Sequence, residues 1–199
     1  MAKIRLFALM TIFFAAAGSC HRTQPKPGLS CTDVNKVINQ MTGLMVHDVT
    51  NPPLAARIFA YSCLAGYEIV SENDHQIKGM FGKLKQYPRI EKPGYLSGYD
   101  YKLSALFAML ETASQLEPFG KQLLAYEDVF ADSCKRIGFD GAVVDSSQHY
   151  AQFISKKYLH TLKQTSTTGQ VISQDINLPV CLARGLQRLL PFWPRLSPF

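Results

Sequence analysis

The stretch PLAARIFAYSCLAGYEIV, Pro53 to Val70, is apolar or small on nearly every face, and Arg57 and Glu68 are its only charges. A helix of that make-up is stable only when neighbours cover most of its sides, so it belongs in the middle of a helical domain. Ala55, Ala56, Ala60, Ala65 and Gly66 would let those neighbours approach closely. Asn51, Pro52 and Pro53 start it, because proline is tolerated where the first helical turn needs no amide partner.

The flanking segments supply the partners. Val34, Val37, Ile38, Met41, Leu44 and Met45 recur at spacings of three and four, which predicts an amphipathic helix capped by Ser30 or Thr32. A third helix is expected over His75 to Tyr87, with Ile77, Met80, Phe81 and Leu84 on one stripe, stopped by Pro88. After the loop from Arg89 to Asp100, a fourth is expected over Tyr101 to Leu116, with Leu103, Leu106, Phe107, Leu110 and Ala113 inward. A fifth, Phe119 to Ile137, carries Leu123, Leu124, Tyr126, Val129 and Phe130. A sixth, Ala142 to Thr161, follows the break at Gly138 to Gly141 and carries Val144, Tyr150, Phe153, Ile154 and Tyr158. No strand-like alternation competes, so the expected fold is all-α, a bundle of about six helices over residues 31–162. Residues 163–199 begin polar and end with four prolines and a Trp-Phe cluster, which predicts an irregular tail; only Val180 to Leu190 suits a short helix, with Arg184 and Arg188 outward.

Composition excludes several classes. With 47% apolar and 18% charged residues, the chain is neither disordered nor fibrous, and 199 residues suit one domain. The formal charge of +6 is spread along the chain without a basic block or stripe, so no nucleic-acid partner is expected.

The start of the chain predicts its compartment. Residues 1–19 place Lys3 and Arg5 ahead of an apolar run from Leu6 to Ala17, followed by Gly18 and Ser19. This is the layout of an export signal, too short for a comfortable membrane-spanning helix. The small residues before Cys20 match the processing box of bacterial lipoproteins, so Cys20 is the expected lipidation site and membrane lipid the expected partner. That places the protein in the periplasm or at the outer membrane; an ordinary secretory leader or an uncleaved anchor are the alternatives. Residues 20–30, with two prolines and a glycine after His21, suit a tether. Cys31, Cys63, Cys134 and Cys181 then remain for up to two disulfides among three pairings, and without a CxxC or a His/Cys cluster a zinc site is not expected.

The side chains suited to catalysis form no complete set. His47 and Asp48 are adjacent, and adjacent helical residues do not share a face, so they act as a pair only if the helix ends there. Glu68, Asp74 and His75 lie within one short stretch, yet spacing alone does not make them converge on a metal. Glu111, Glu117 and Glu127 are spread over two helices, and the chain has no Glu-x-x-His unit of the di-iron bundles. Tyr95, Tyr99 and Tyr101 with Lys102 suit a loop closing over the core better than an aromatic-basic patch. Nucleotide, dinucleotide, HExxH and GxSxG signatures are all absent.

The runs MVHDVTNPPLAARIFAYSCLAGYEIV, Met45 to Val70, and SGYDYKLSALFAMLETA, Ser97 to Ala113, resemble the N-terminal helical portion of bacterial proteins related to vanadium-dependent haloperoxidases and phosphatidic acid phosphatases of the PAP2 type. The resemblance spans roughly Thr32 to Thr161, with an echo in Leu189 to Phe199. Members of that group hold phosphate or vanadate with a lysine and an arginine-proline, a Pro-Ser-Gly-His run, and a final arginine with a histidine nucleophile. An oxyanion with five-fold geometry needs several cationic donors and an axial histidine. None of these motifs occurs here, and His149 and His160 lack the required neighbours. The resemblance therefore implies a truncated or degenerate member without catalytic residues and without a cofactor, vanadate and phosphate being implied only for longer relatives. Uncovered apolar faces would then favour self-association. The alternatives are a stand-alone helical lipoprotein that binds a partner, or an enzyme using His47, Asp48 and Glu68.

Overall fold

The computed structural model describes residues 27–84, 87, 89–118 and 120–165, which form five helices and no strand. They are α1 (Cys31–His47), α2 (Pro52–Asn73), α3 (Tyr101–Leu116), α4 (Lys121–Arg136) and α5 (Gly141–Thr165). The leader, Cys20, Cys181 and the Pro-rich segment lie outside the described residues. None of the described helices is long and apolar enough to cross a membrane.

Local chemistry sets each start. The Asp33 carboxylate reaches back to accept from the Ser30 amide at 2.9 Å and its hydroxyl at 2.8 Å, so Ser30, not Thr32, caps α1. Asn51 accepts from the Leu54 amide at 3.0 Å and Pro52 occupies the first turn of α2. Asp100 accepts from the Lys102 and Leu103 amides, both at 3.0 Å, at the head of α3. Asp140 does the same for Ala142 at 2.8 Å, after Gly138 has turned the chain with φ 108°.

The expected third helix does not form. Residues 75–84 make isolated turns: the Gln76 amide bonds the Asp74 carboxylate at 3.0 Å, Ile77 bonds the Asp74 carbonyl at 2.9 Å and Lys83 the Met80 carbonyl at 3.0 Å. Gly82 takes φ 75°, and the Tyr67 hydroxyl donates to the Lys78 carbonyl at 2.8 Å, claiming a group that a helix would spend on its own ladder. Met80 is buried as expected, but Phe81 is 59% exposed. The bundle thus has five described helices where the periodicity predicts six.

The centre of the fold is also displaced. Helix α2 is buried mainly in its second half, with Ile58 the one fully buried residue before Ser62, whereas α3 is buried without interruption from Leu103 to Ala113. Helix α3 packs against all four others, most extensively α2 and α5. Its Ser104, Ala108 and Thr112, four residues apart, and Ser147, Ala151 and Ser155 of α5 are all fully buried. Thr112 donates to the Ser155 hydroxyl at 3.1 Å, and Ser155 to the Ala108 carbonyl at 3.3 Å, so small polar side chains are satisfied inside the seam. On the opposite side Gly66 lets α2 approach α3: a Cβ there would stand 3.0 Å from the Ala105 carbonyl oxygen and from Met109 Cγ. Helix α4 covers less, and its Leu124 and Val129, expected inward, are exposed while Leu123 and Phe130 are buried.

Among the described residues Cys31, Cys63 and Cys134 are free and form no disulfide with one another. They sit on three different helices, and burial pushes the Cys63 and Cys134 thiols up to about 11, which keeps both unreactive.

Two substitutions of the same kind should act in opposite directions. Gly66→Ala is expected to lower stability by about 1–3 kcal/mol through overpacking against α3. Gly43→Ala, on the exposed face of α1 with nothing within 4 Å, should raise it by roughly 0.5–1 kcal/mol. Urea denaturation of both variants checks the pair.

Candidate functional site

Four charged residues are buried as a whole among the described residues, and all four are glutamates, Glu68, Glu111, Glu117 and Glu127, while Asp48 buries its side chain but not its backbone. They occupy three separate places, so the fold divides what the sequence spreads over α2, α3 and α4.

Glu68 points into a group of tyrosines. Burial pushes its carboxyl above the usual carboxylate range, and the Tyr87 hydroxyl beside it and the Met80 amide act against that shift. Tyr87 and Tyr61 both stand on Tyr158, with ring centroids 6.2 and 6.4 Å away. Burial raises the Tyr87 and Tyr158 hydroxyls far above their ordinary range, so these phenols stay protonated at any physiological pH. Asp74 and His75 do not join Glu68: Asp74 caps the end of α2 and His75 is exposed. The described residues hold no group of three His, Cys, Asp or Glu side chains placed to bind a metal.

Glu111 of α3 and Glu127 of α4 do come together. Glu127 accepts from Gln148 of α5 at 3.2 Å, and Glu111 from Gln115 at 3.3 Å. Burial first, then the Glu111 charge, pushes the Glu127 carboxyl up to about 7. Glu111 is also raised by burial, with Lys156 of α5 pulling the other way. Two amide side chains and one lysine therefore steady a carboxyl pair at the junction of three helices. Its polar contacts run between helices of the bundle, which makes it a structural junction.

His47 and Asp48 meet the condition that the sequence set for them. Helix α1 ends at His47, and the chain leaves the helix so that His47 Nδ1 lies 2.9 Å from Asp48 Oδ1. The Asp48 side chain is only 2% exposed, the His47 ring 70%. Val49 follows with φ 51°, a conformation that costs a β-branched residue energy and that the surrounding turn imposes. Glu117 lies near Asp48 across the corner, pushed up to about 7 by burial and then by the Asp48 charge. Sequence reasoning singled out both residues without joining them, since nothing in their spacing of 69 positions relates the end of α1 to the end of α3.

The tyrosines near Lys102 close the loop onto the core. Tyr99 donates to Asn73 at 2.8 Å, stacks on the buried Tyr150 at 4.6 Å between centroids, and lies under the Lys92 ammonium at 4.8 Å. Lys102 stands over Tyr101 at 5.9 Å, and Tyr95 alone of the three is exposed. His149 and His160 are exposed on α5, apart from these groups. A shallow, open depression on α4 is lined by Val129, Asp132, Lys135 and Arg136, away from every buried carboxyl.

No family model and no curated protein matches the chain. Among solved structures, it is similar to a bacterial vanadium-dependent iodoperoxidase, with a TM-score of 0.64 and 23% identity over 71% of this chain and 33% of that one. At that identity the likeness is one of fold alone, an arrangement of helices. The chain spans about a third of the length of the structure it matches.

Glu127 makes a checkable pH dependence. Its carboxyl is raised in the folded state, so the fold binds an extra proton between about 4.5 and about 7 and loses stability as pH rises through that window. Glu127→Gln keeps the bond from Gln148 and removes the charge. It should leave the urea midpoint unchanged at pH 4 relative to wild type, and raise stability at pH 8 by roughly 1–3 kcal/mol.

Proposed function

We propose that this chain is the helical framework of a haloperoxidase- and phosphatase-like protein, separated from or lacking the part that binds the oxyanion, and that alone it neither hydrolyses phosphate esters nor oxidises halide. The observation that carries this reading is the sign of the buried charge. An oxyanion cradle needs cationic donors in a desolvated site, and the charged side chains buried among the described residues are carboxyls, those of four glutamates and Asp48. The basic side chains described sit at the surface, where Lys36 pairs with Asp33 at 3.0 Å, Arg89 with Glu91 at 3.1 Å and Lys135 with Asp145 at 3.3 Å. The fold likeness to the iodoperoxidase supports the framework role.

The same reading keeps the protein at a membrane. An acyl-modified Cys20 would hold it on lipid, each buried methylene contributing about 0.8 kcal/mol, and two or more chains making the attachment durable. Leu124, Val129 and Ile137 leave apolar area exposed on and after α4, which favours self-association at that surface.

Two measurements test the proposal. Folded, purified protein should show no release of 4-nitrophenol from 4-nitrophenyl phosphate above buffer, and no iodide oxidation with vanadate and peroxide; turnover in either assay overturns the framework reading. In cells, wild-type protein should fractionate with membranes and Cys20→Ala with the soluble fraction. Equal partitioning of the two would remove lipid attachment from the account.

A further inference from the structure

The chain leaves the bundle at a fixed place. A Cβ on Gly138 would stand 3.9 Å from Pro27 Cβ, so the residues just before α1 lie against the corner between α4 and α5. Leu29 then packs on the core, and Ser30 is tied to the Asp33 carboxylate at the head of α1. From Cys20 to Pro27 is a step of seven residues, and a chain of that length reaches at most about 25 Å. The bundle is longer: α5, with 25 residues, spans about 38 Å. Helix α1 runs about 25 Å from this corner to the opposite end, where Val46 and Val49 are exposed.

The surface beside that exit combines exposed apolar side chains with long cations. Ile137, 53% exposed, follows Arg136 directly, and Val129, 59% exposed, lines the shallow depression on α4 with Asp132, Lys135 and Arg136. Such a mixture suits a bilayer interface, where aliphatic stems lie on hydrocarbon and cationic heads reach phosphates. Two of the neighbouring acids are already engaged: Asp140 accepts from the Ala142 amide at 2.8 Å, and Asp145 pairs with Lys135 at 3.3 Å. The residues between Cys20 and Pro27 include Arg22 and Lys26 and no acid. We propose that the C-terminal end of α4, Val129 to Ile137, is the face that the protein lays on the lipid surface, with Ile137 among the headgroups and Lys135 and Arg136 meeting their phosphates. This rests on the lipid attachment of Cys20 proposed above. One isoleucine and two cations bind a vesicle weakly from solution, but a short tether makes the contact intramolecular and raises its effective concentration. The far end of the bundle, with Val46 and Val49, is then turned away from lipid.

Hydroxyl-radical labelling read by mass spectrometry tests this on the acylated chain in vesicles of phosphatidylethanolamine and phosphatidylglycerol, with the soluble Cys20→Ala chain as reference. The ratio of label on Ile137 to label on Val49 should fall about fivefold on vesicles, since side chains about 5–10 Å into the headgroup boundary are shielded from water. Label on Val46 should stay at its soluble level. An unchanged ratio in a chain whose N-terminal peptide carries its acyl mass overturns the proposed face and leaves the attachment standing. A chain without that mass overturns both. If the ratio falls equally in concentrated Cys20→Ala without vesicles, the cover is a second copy of the chain, and the lipid-facing assignment fails. Ile137→Glu changes an exposed position and should fold; on vesicles it should return label on Val129 towards the soluble level. Protection of Val129 that survives this substitution overturns insertion at Ile137.

Discussion

The structure depends on how closely α3 is held between α2 and α5. Close approach of helices requires small side chains where the backbones meet, and α3 has them on two sides. Ser104, Ala108 and Thr112 face Ser147, Ala151 and Ser155 along one seam, and Ala105 faces Gly66 along the other. The larger side chains between these seams, Leu103, Phe107 and Leu110, are consequently sealed from water. Phe107 meets Phe130 of α4 edge-on at 5.7 Å, which extends the same core to the fourth helix. Three of the buried glutamates are then positioned by the way α3 is clamped, since Glu111 lies on it, Glu117 follows its last turn and Glu127 meets it from α4.

That clamping explains the chemistry of the interior. Glu111 and Glu127 are held by amide side chains of the bundle itself, so their raised carboxyls bear directly on its stability. Burial raises all four glutamate carboxyls, so the folded chain binds protons more readily than the unfolded one. The buried ionisable side chains described are acids where an oxyanion site needs cationic donors, and the likeness to an iodoperoxidase rests on the arrangement of helices alone.

Much of this architecture was legible from spacing. The stripes Val34 to Met45, apart from the half-buried Ile38, and Leu103 to Ala113 are buried, and Asn51 and Ser30 start their helices as the sequence implied, whereas the Asp100 cap is seen only in the structure. His75 to Tyr87 was misleading because its apolar spacing suits a helix while its glycines and the claim of Tyr67 on the Lys78 carbonyl favour turns. Val129 was misleading for a different reason. Helix α4 lies at the edge of the bundle, and an edge helix buries a narrower stripe than its sequence offers.

Which segments are helical, where most of them start, and that the fold is all-α were determined by the sequence itself, because capping and three-to-four periodicity act over a few residues. Which helix is central was decided by the tertiary structure, since α2 and α3 are similarly apolar and only packing reveals which one is enclosed. The division of the glutamates was decided there as well. Glu117 is nearer in sequence to Glu111 than to Asp48, yet the fold gives it Asp48 and gives Glu111 Glu127. Electrostatic neighbours are set by distance through space, and one helix directs residues six positions apart to different sides and different turns.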